Sequence, residues 1–332
     1  MNVLVTGADD IWGYLTAEQI LRRGMLKNSA NALRPVERVI LLCHKGPYLP
    51  DILQDARCEV VLGSITDAAA TEAVILDHAI DSIFHFETLV CDRGDGEQAF
   101  DEMLNVNLQG SLNLMNGCKK SGRVPKMVFC ASCSVFQDFS AKPVSEKSRR
   151  FPSTTYGSTK ACVELLLSNF TRRGFLDGRN SLLPMCVSWK PTPQDTDFMN
   201  NVFRAPFDGS DVVTPLHPDT RLYFNGYYSD ILNLIETHDI PSAELGEERS
   251  LIQPGISCTV QEMYDMFVQV GAREGCKVGK LVEAWDPDVQ AGLDGFCKYA
   301  DFSRAEQFGL TQETLEQVVT RYLHDYLALR HC

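Results

Sequence analysis

Basic residues are in short supply: 31 Lys and Arg face 44 Asp and Glu, leaving a net charge of -13 over 332 residues. Such a surface repels a phosphate backbone or an anionic bilayer at long range, so neither nucleic acid nor membrane is an expected partner. No apolar run approaches the roughly 18 residues of a membrane span, and strand-like Asn2-Val3-Leu4-Val5 leaves no room for a charged, apolar and cleavable leader. A cytoplasmic protein is expected. The 7 histidines show no ligand spacing, and Cys130-Ala-Ser-Cys133 has no second CxxC to complete a metal site. The metal expectation is none. Without a secretory leader, the 12 cysteines read as reduced and mostly buried, and Cys130 and Cys133 as packing residues. Repeats and low-complexity stretches are also missing, while 44% hydrophobic and 23% charged residues suit an ordinary globular chain. A small molecule is the expected partner.

The first half alternates apolar β-type runs (Val3 to Thr6, Val39 to Cys43, Glu59 to Leu62, Ser82 to Phe86, Lys126 to Ala131) with helical patterns. Runs without period-2 alternation are strands covered on both faces, which predicts a parallel sheet in an α/β fold. Helices are expected from Trp12 to Gly24, Phe100 to Lys120, Thr155 to Arg173 and Thr311 to Leu329. The second and third carry broad apolar faces, among them Leu108, Leu112, Leu165 and Leu166, and are the expected seam of a homodimer. After Val187 the chain turns Pro-rich and irregular, so residues 1–187 are expected to form a Rossmann-type domain. Residues 188–332 are expected to form mainly a small C-terminal substrate lobe, with elements returning to the first domain.

Chemistry concentrates at Tyr156-Gly-Ser-Thr-Lys160, with Ser132 one strand upstream. Residues at i and i+4 project from one helix face, and an ammonium beside a phenol is expected to lower its pKa from about 10. Ser132 is placed to share charge on a substrate oxygen. The bland alternative is an exposed Tyr and a solvated Lys on a surface helix.

These residues, with Val128-Phe-Cys-Ala-Ser-Cys-Ser-Val-Phe136, Asn107-Leu-Gln-Gly110 and Gln253-Pro-Gly-Ile256, resemble the extended short-chain dehydrogenases/reductases, of the NAD-dependent epimerase/dehydratase type, along nearly the whole chain. Within them the likeness is to the D-erythronate dehydrogenase-like group of sugar-acid oxidoreductases. The resemblance implies a Rossmann-type doubly wound parallel sheet, a catalytic Ser132, Tyr156 and Lys160, and an Asn107 that supports the lysine. It also places Trp189, Arg221, Tyr223, Tyr227 and Tyr228 in the segment that contacts substrate, although aromatic residues in such a run are more often core.

The nucleotide half departs from the pattern. In the turn Thr6-Gly7-Ala8-Asp9-Asp10-Ile11-Trp12-Gly13, Gly7 and Gly13 persist, but Asp10 replaces the glycine that lets the backbone approach a pyrophosphate. One like-charge contact at about 4 Å costs on the order of 1 to 4 kcal/mol. Cys43, followed by His44 and Lys45, stands where the family binds the adenosine ribose with an acid; Ser64 replaces an adenine-contacting Asp; Glu87 replaces a small residue. The leading expectation is therefore non-redox acid-base chemistry (isomerisation, dehydration, aldol-type cleavage or cyclisation) with no cofactor, Glu87 acting as an added base or filling a redundant cavity. One alternative is an NADP(H)-dependent oxidoreductase that holds its nucleotide through Gly7, Gly13 and Lys45. A second is a catalytically silent binding or scaffold protein.

Overall fold

Neighbouring residues of a strand point to opposite faces, and here both faces of the main sheet are covered. The computed structural model describes residues 1–46, 50–90, 96–137, 142–187 and 207–330, so Ser188, Trp189 and the Pro-rich stretch that follows them lie outside the described residues. Strands β1 (Asn2–Thr6), β2 (Arg38–Cys43), β3 (Cys58–Leu62), β4 (Ser82–His85), β5 (Lys126–Ser132) and β6 (Asp177–Leu183) come from the first half. Leu4, Ile40, Ile83 and Met127 pack on one face, whereas Val3, Val39, Phe84 and Val128 pack on the other. That double burial explains the unbroken apolar runs.

Helix α1 (Ile11–Arg23) covers the second face, while α2 (Ala68–Asp77), α4 (Ser111–Ser121) and α5 (Thr155–Arg172) cover the first. Between α3 (Glu97–Met103) and α4, residues Leu104–Gly110 form a π-helical stretch where a uniform helix was expected.

The later part of the chain returns to this core. Strand β7 (Met185–Val187) and β8 (Arg221–Gly226) run parallel, and β8 pairs antiparallel with β10 (Ile256–Thr259). Helix α6 (Tyr227–Asp239) packs beside α1, and β9 (Ser250–Ile252) joins the edge of the large sheet beside β6. The seven strands lie in the order β9-β6-β5-β4-β1-β2-β3, every neighbouring pair parallel. This is the expected α/β, Rossmann-type doubly wound sheet. Successive strands run outward from β1 in one direction and then from β4 in the other, so the switch point lies between the carboxyl ends of β1 and β4, where such sheets open a ligand crevice. Helix α7 (Val260–Arg273) and α8 (Leu315–Arg330) close a further apolar cluster at the C-terminal end. Among the described residues no helix is long and apolar enough to cross a membrane.

Candidate active site

Ser132 ends β5 and Tyr156 opens α5, and a glycine brings them together. A Cβ on Gly157 would lie 2.4 Å from the Ser134 carbonyl oxygen, so only glycine lets the first turn of α5 approach the backbone beyond β5. Thr154 caps that turn by accepting from the Gly157 N–H at 3.0 Å. The Ser132 hydroxyl then comes close enough to the half-buried Tyr156 phenol to favour its ionised form. Lys160, 2% exposed, donates from Nζ to the Cys130 carbonyl at 2.7 Å, with its ammonium 4.7 Å from the Phe129 ring centroid and 5.4 Å from that of Tyr156. The three residues expected to act together are brought together.

Their proton affinities differ from the expectation. Burial pushes the Tyr156 phenol well above its ordinary range, an effect that the nearby Ser132 hydroxyl opposes only in part. Burial also pulls Lys160 down to about 8. Desolvation therefore dominates the phenol, and the Lys160 ammonium is given to a backbone carbonyl instead.

Asn107 projects from the π-helical stretch. It accepts from the Leu89 N–H at 2.7 Å, returns a bond to the Leu89 carbonyl at 2.9 Å, and donates to Thr159 Oγ1 at 3.3 Å. It supports the helix beside Lys160, not the lysine amine itself. Its carbonyl accepts from Ser111 Oγ at 2.5 Å, and Ser111 Oγ lies 2.8 Å from His85 Nε2. Because the Ser111 proton goes to Asn107, His85 must donate from Nε2, which leaves Nδ1 to accept from Thr6 Oγ1 at 2.7 Å. Burial holds His85 down to about 3, so this chain from β1 to the π-helical stretch is neutral. Neither His85 nor Gly157 was legible as a site residue, since their partners lie far away in sequence.

The nucleotide-type turn is built as expected in its frame and altered in its charges. Gly7 has φ +67°, and a Cβ there would lie 2.8 Å from the Glu87 amide; a Cβ on Gly13 would lie 2.4 Å from the Gly7 carbonyl oxygen. Both glycines are demanded by close packing of β1, α1 and the end of β4. Asp10 caps α1, accepting from Trp12 N–H, and burial pushes it up to about 6. Glu87, 7% exposed, pairs with His44 Nε2, while the His44 amide donates to Asp9 Oδ2 at 3.1 Å. Cys43 is buried and pushed up to about 11, whereas Lys45 is exposed at the strand end. Ser64 bonds its neighbour Thr66, the two hydroxyls 2.8 Å apart.

The expected substrate contacts fare worse. Tyr223 is 2% exposed and donates its hydroxyl proton to the Gln253 carbonyl at 2.7 Å, which makes it a core residue. Arg221 donates to the Ser257 carbonyl at 3.1 Å and faces Glu262 at 3.5 Å, a lobe-internal arrangement. Tyr227 bonds Asp325 at 2.7 Å and Tyr228 lies under Arg321. Glu87 faces His44 and the glycine turn, not an open substrate cavity. Trp189 lies outside the described residues.

A dinucleotide fits this frame. The positive-φ glycine, the packed helix start at the switch point and the exposed Lys45 provide the cradle, and Asp10 and Glu87 are the groups whose charge must be relieved.

Comparison with known proteins bears on the same point. Residues 3–212 match the NAD dependent epimerase/dehydratase family. The chain is 31% identical over 317 residues to D-erythronate dehydrogenase of Cupriavidus necator, covering 91% of this chain and 95% of the relative. It is 26% identical to D-erythronate dehydrogenase of Haemophilus influenzae, over 81% of this chain and 82% of that one. The crystal structure of a nucleoside-diphosphate-sugar epimerase from Agrobacterium tumefaciens superimposes with a TM-score of 0.85 at 26% identity, covering 99% and 95% of the two chains. Dehydrogenase relatives over most of the chain, and a family described as NAD dependent, overturn the expectation of non-redox chemistry with no cofactor. These relatives favour an oxidoreductase over the lyase and isomerase readings. A physical reason accompanies this: Asp10 is engaged as the cap of α1 and burial raises its proton affinity, so it is a smaller obstacle to a pyrophosphate than the free carboxylate assumed from sequence.

Proposed function

Because the chain belongs to the NAD dependent epimerase/dehydratase family, we propose that it is a nicotinamide-dinucleotide-dependent oxidoreductase interconverting a secondary alcohol and a ketone on a small hydroxy acid. The observation that carries this reading is the assembled Ser132, Tyr156 and Lys160 beside the switch point, in a chain 31% identical to a D-erythronate dehydrogenase along 91% of its length.

Gly7, Gly13, the first N–H groups of α1 and Lys45 would hold the dinucleotide, which supplies the two-electron acceptor or donor. In alcohol oxidation Tyr156 takes the hydroxyl proton, and in the reverse direction it returns it. Ser132 donates to the substrate oxygen and stabilises its negative charge. Lys160 favours the phenolate once it turns its ammonium from the Cys130 carbonyl toward the phenol. Asn107 holds Leu89 and Thr159, and so the helix that presents both groups.

Cys43 in place of an acid, with Lys45 nearby, favours the 2′-phosphorylated cofactor NADP(H) over NAD(H). In this reading residues 1–187 carry the cofactor and the proton-transfer groups, and residues 188–332 supply mainly the substrate lobe. A homodimer through α3, α4 and α5 is supported by exposed Phe100 and Leu165 on those helices. Unpaired cysteines throughout the described residues support a reducing, cytoplasmic setting.

The test is a panel of small hydroxy acids, D-erythronate first, assayed with NAD and with NADP by nicotinamide absorbance. Reduction of one nucleotide that disappears in Tyr156→Phe is expected; product formation without any nucleotide would contradict the reading.

A further inference from the structure

The seat that a pyrophosphate would take is already held by side chains. Asp10 takes the Trp12 N–H in the first turn of α1, one of the donors a helix start offers to a phosphate. Asp9 accepts from the His44 amide, and the His44 ring grips Glu87, so the loops after β1, β2 and β4 are tied across the switch point. The Glu87 side chain is 5% exposed, and its second oxygen, Oε2, has no hydrogen-bond partner among the described residues. A buried carboxylate oxygen with no donor is unfavourable until it carries a proton or meets a ligand.

We propose that Asp10, Glu87 and His44 form a proton-linked latch on the dinucleotide groove, so that the cofactor enters together with a proton and the His44–Glu87 bridge opens as it binds. The inference rests on the oxidoreductase reading given above.

The groups around the latch all work on this equilibrium. Glu87 faces His44, Asp9, the Gly7 amide and the Cys43 thiol, while Asp10 faces Asp9, the α1 amides and, from β5, the Cys130 thiol. Burial holds Asp10 at about 6 and Glu87 above the usual carboxylate range before any ligand arrives. An incoming pyrophosphate raises the proton affinity of both acids further, so the complex binds more protons than the free protein above about pH 6. Linkage then fixes the sign: affinity rises as pH falls toward about 6 and levels off below it, by up to about tenfold per pH unit for each proton taken up.

The experiment titrates the full chain with NADH and with NADPH by nucleotide fluorescence between about pH 6 and pH 8, alongside calorimetry in two buffers of different ionisation enthalpy. Asp10→Asn keeps the helix cap and Glu87→Gln keeps the side-chain volume, so both variants fold. Since the 2′-phosphate of NADPH itself titrates near about 6, the comparison is each variant's slope against the wild-type slope. The wild type is expected to bind more weakly as pH rises, with proton uptake, and the double variant to bind tightly with a flattened slope. An unchanged slope in the double variant would overturn the latch alone. Failure of the double variant to bind either nucleotide at any pH would instead overturn the oxidoreductase reading.

Discussion

Tyr156 and Lys160 share one helix face, yet burial drives their proton affinities in opposite directions, the phenol up and the amine down to about 8. An active pair must reverse part of that, so each group's loss is separately measurable. Tyr156→Phe should lower kcat by about 10² to 10⁴ while dinucleotide affinity holds, and Ser132→Ala should lower it by about 10² to 10³. Lys160 is charged below its depressed pKa and neutral above it. Activity that needs the ammonium is therefore present below about pH 8 and lost as pH rises through it, a limb that a kcat/KM profile for ketone reduction should show. These three residues were legible in sequence because helix spacing and one strand end fix their relation. The groove was half legible: Asp10 and Glu87 stood out as misplaced acids, but His44, which compensates Glu87 from 43 residues away, carried no local signal.

Within elements, the apolar strands were readable and the polar one was not. Strand β6 reads Asp177-Gly-Arg-Asn-Ser-Leu-Leu183, with no pattern that predicts a buried strand, and yet every residue in it is buried. Its charges are matched from distant segments: Arg249 reaches Asp177 at 2.5 Å, and Arg179 donates to the Ile240 carbonyl at 2.9 Å. The π-helical stretch was also invisible, because it is fixed by where Asn107 and Ser111 must point rather than by propensity. Gly157 and Gly13 are the places where the elements touch. Alanine at Gly13 drives a methyl group into the Gly7 carbonyl, so Gly13→Ala should destabilise the protein by about 1 to 3 kcal/mol in denaturant unfolding and weaken dinucleotide binding. Truncating Asn107 to Ala leaves the Leu89 amide without its side-chain acceptor, and about 1 to 3 kcal/mol should likewise be lost.

For the whole molecule, the parallel sheet and its two covered faces followed from the sequence, whereas the assembly depends on surfaces that one chain leaves open. Leu165 is 67% exposed on α5, so Leu165→Glu should convert the proposed dimer to a monomer in sedimentation, with the fold intact. Below the sheet, His238 is fully buried against Ser82 and Asp239, and burial holds it down to about 4. A histidine kept neutral in the fold binds fewer protons than the unfolded chain below about pH 6.5, so its contribution is complete above that pH and is lost as pH falls toward about 4. His238→Gln should flatten this part of the stability profile by up to about 1.4 kcal/mol per pH unit. The central claim is that two electrons move between substrate and nucleotide at Tyr156, and the most direct measurement follows deuterium from the carbinol carbon of D-erythronate, or of whichever hydroxy acid turns over. The account predicts the label on the reduced nicotinamide recovered from the wild type and not from Tyr156→Phe; label lost to water with no nucleotide reduced would contradict it.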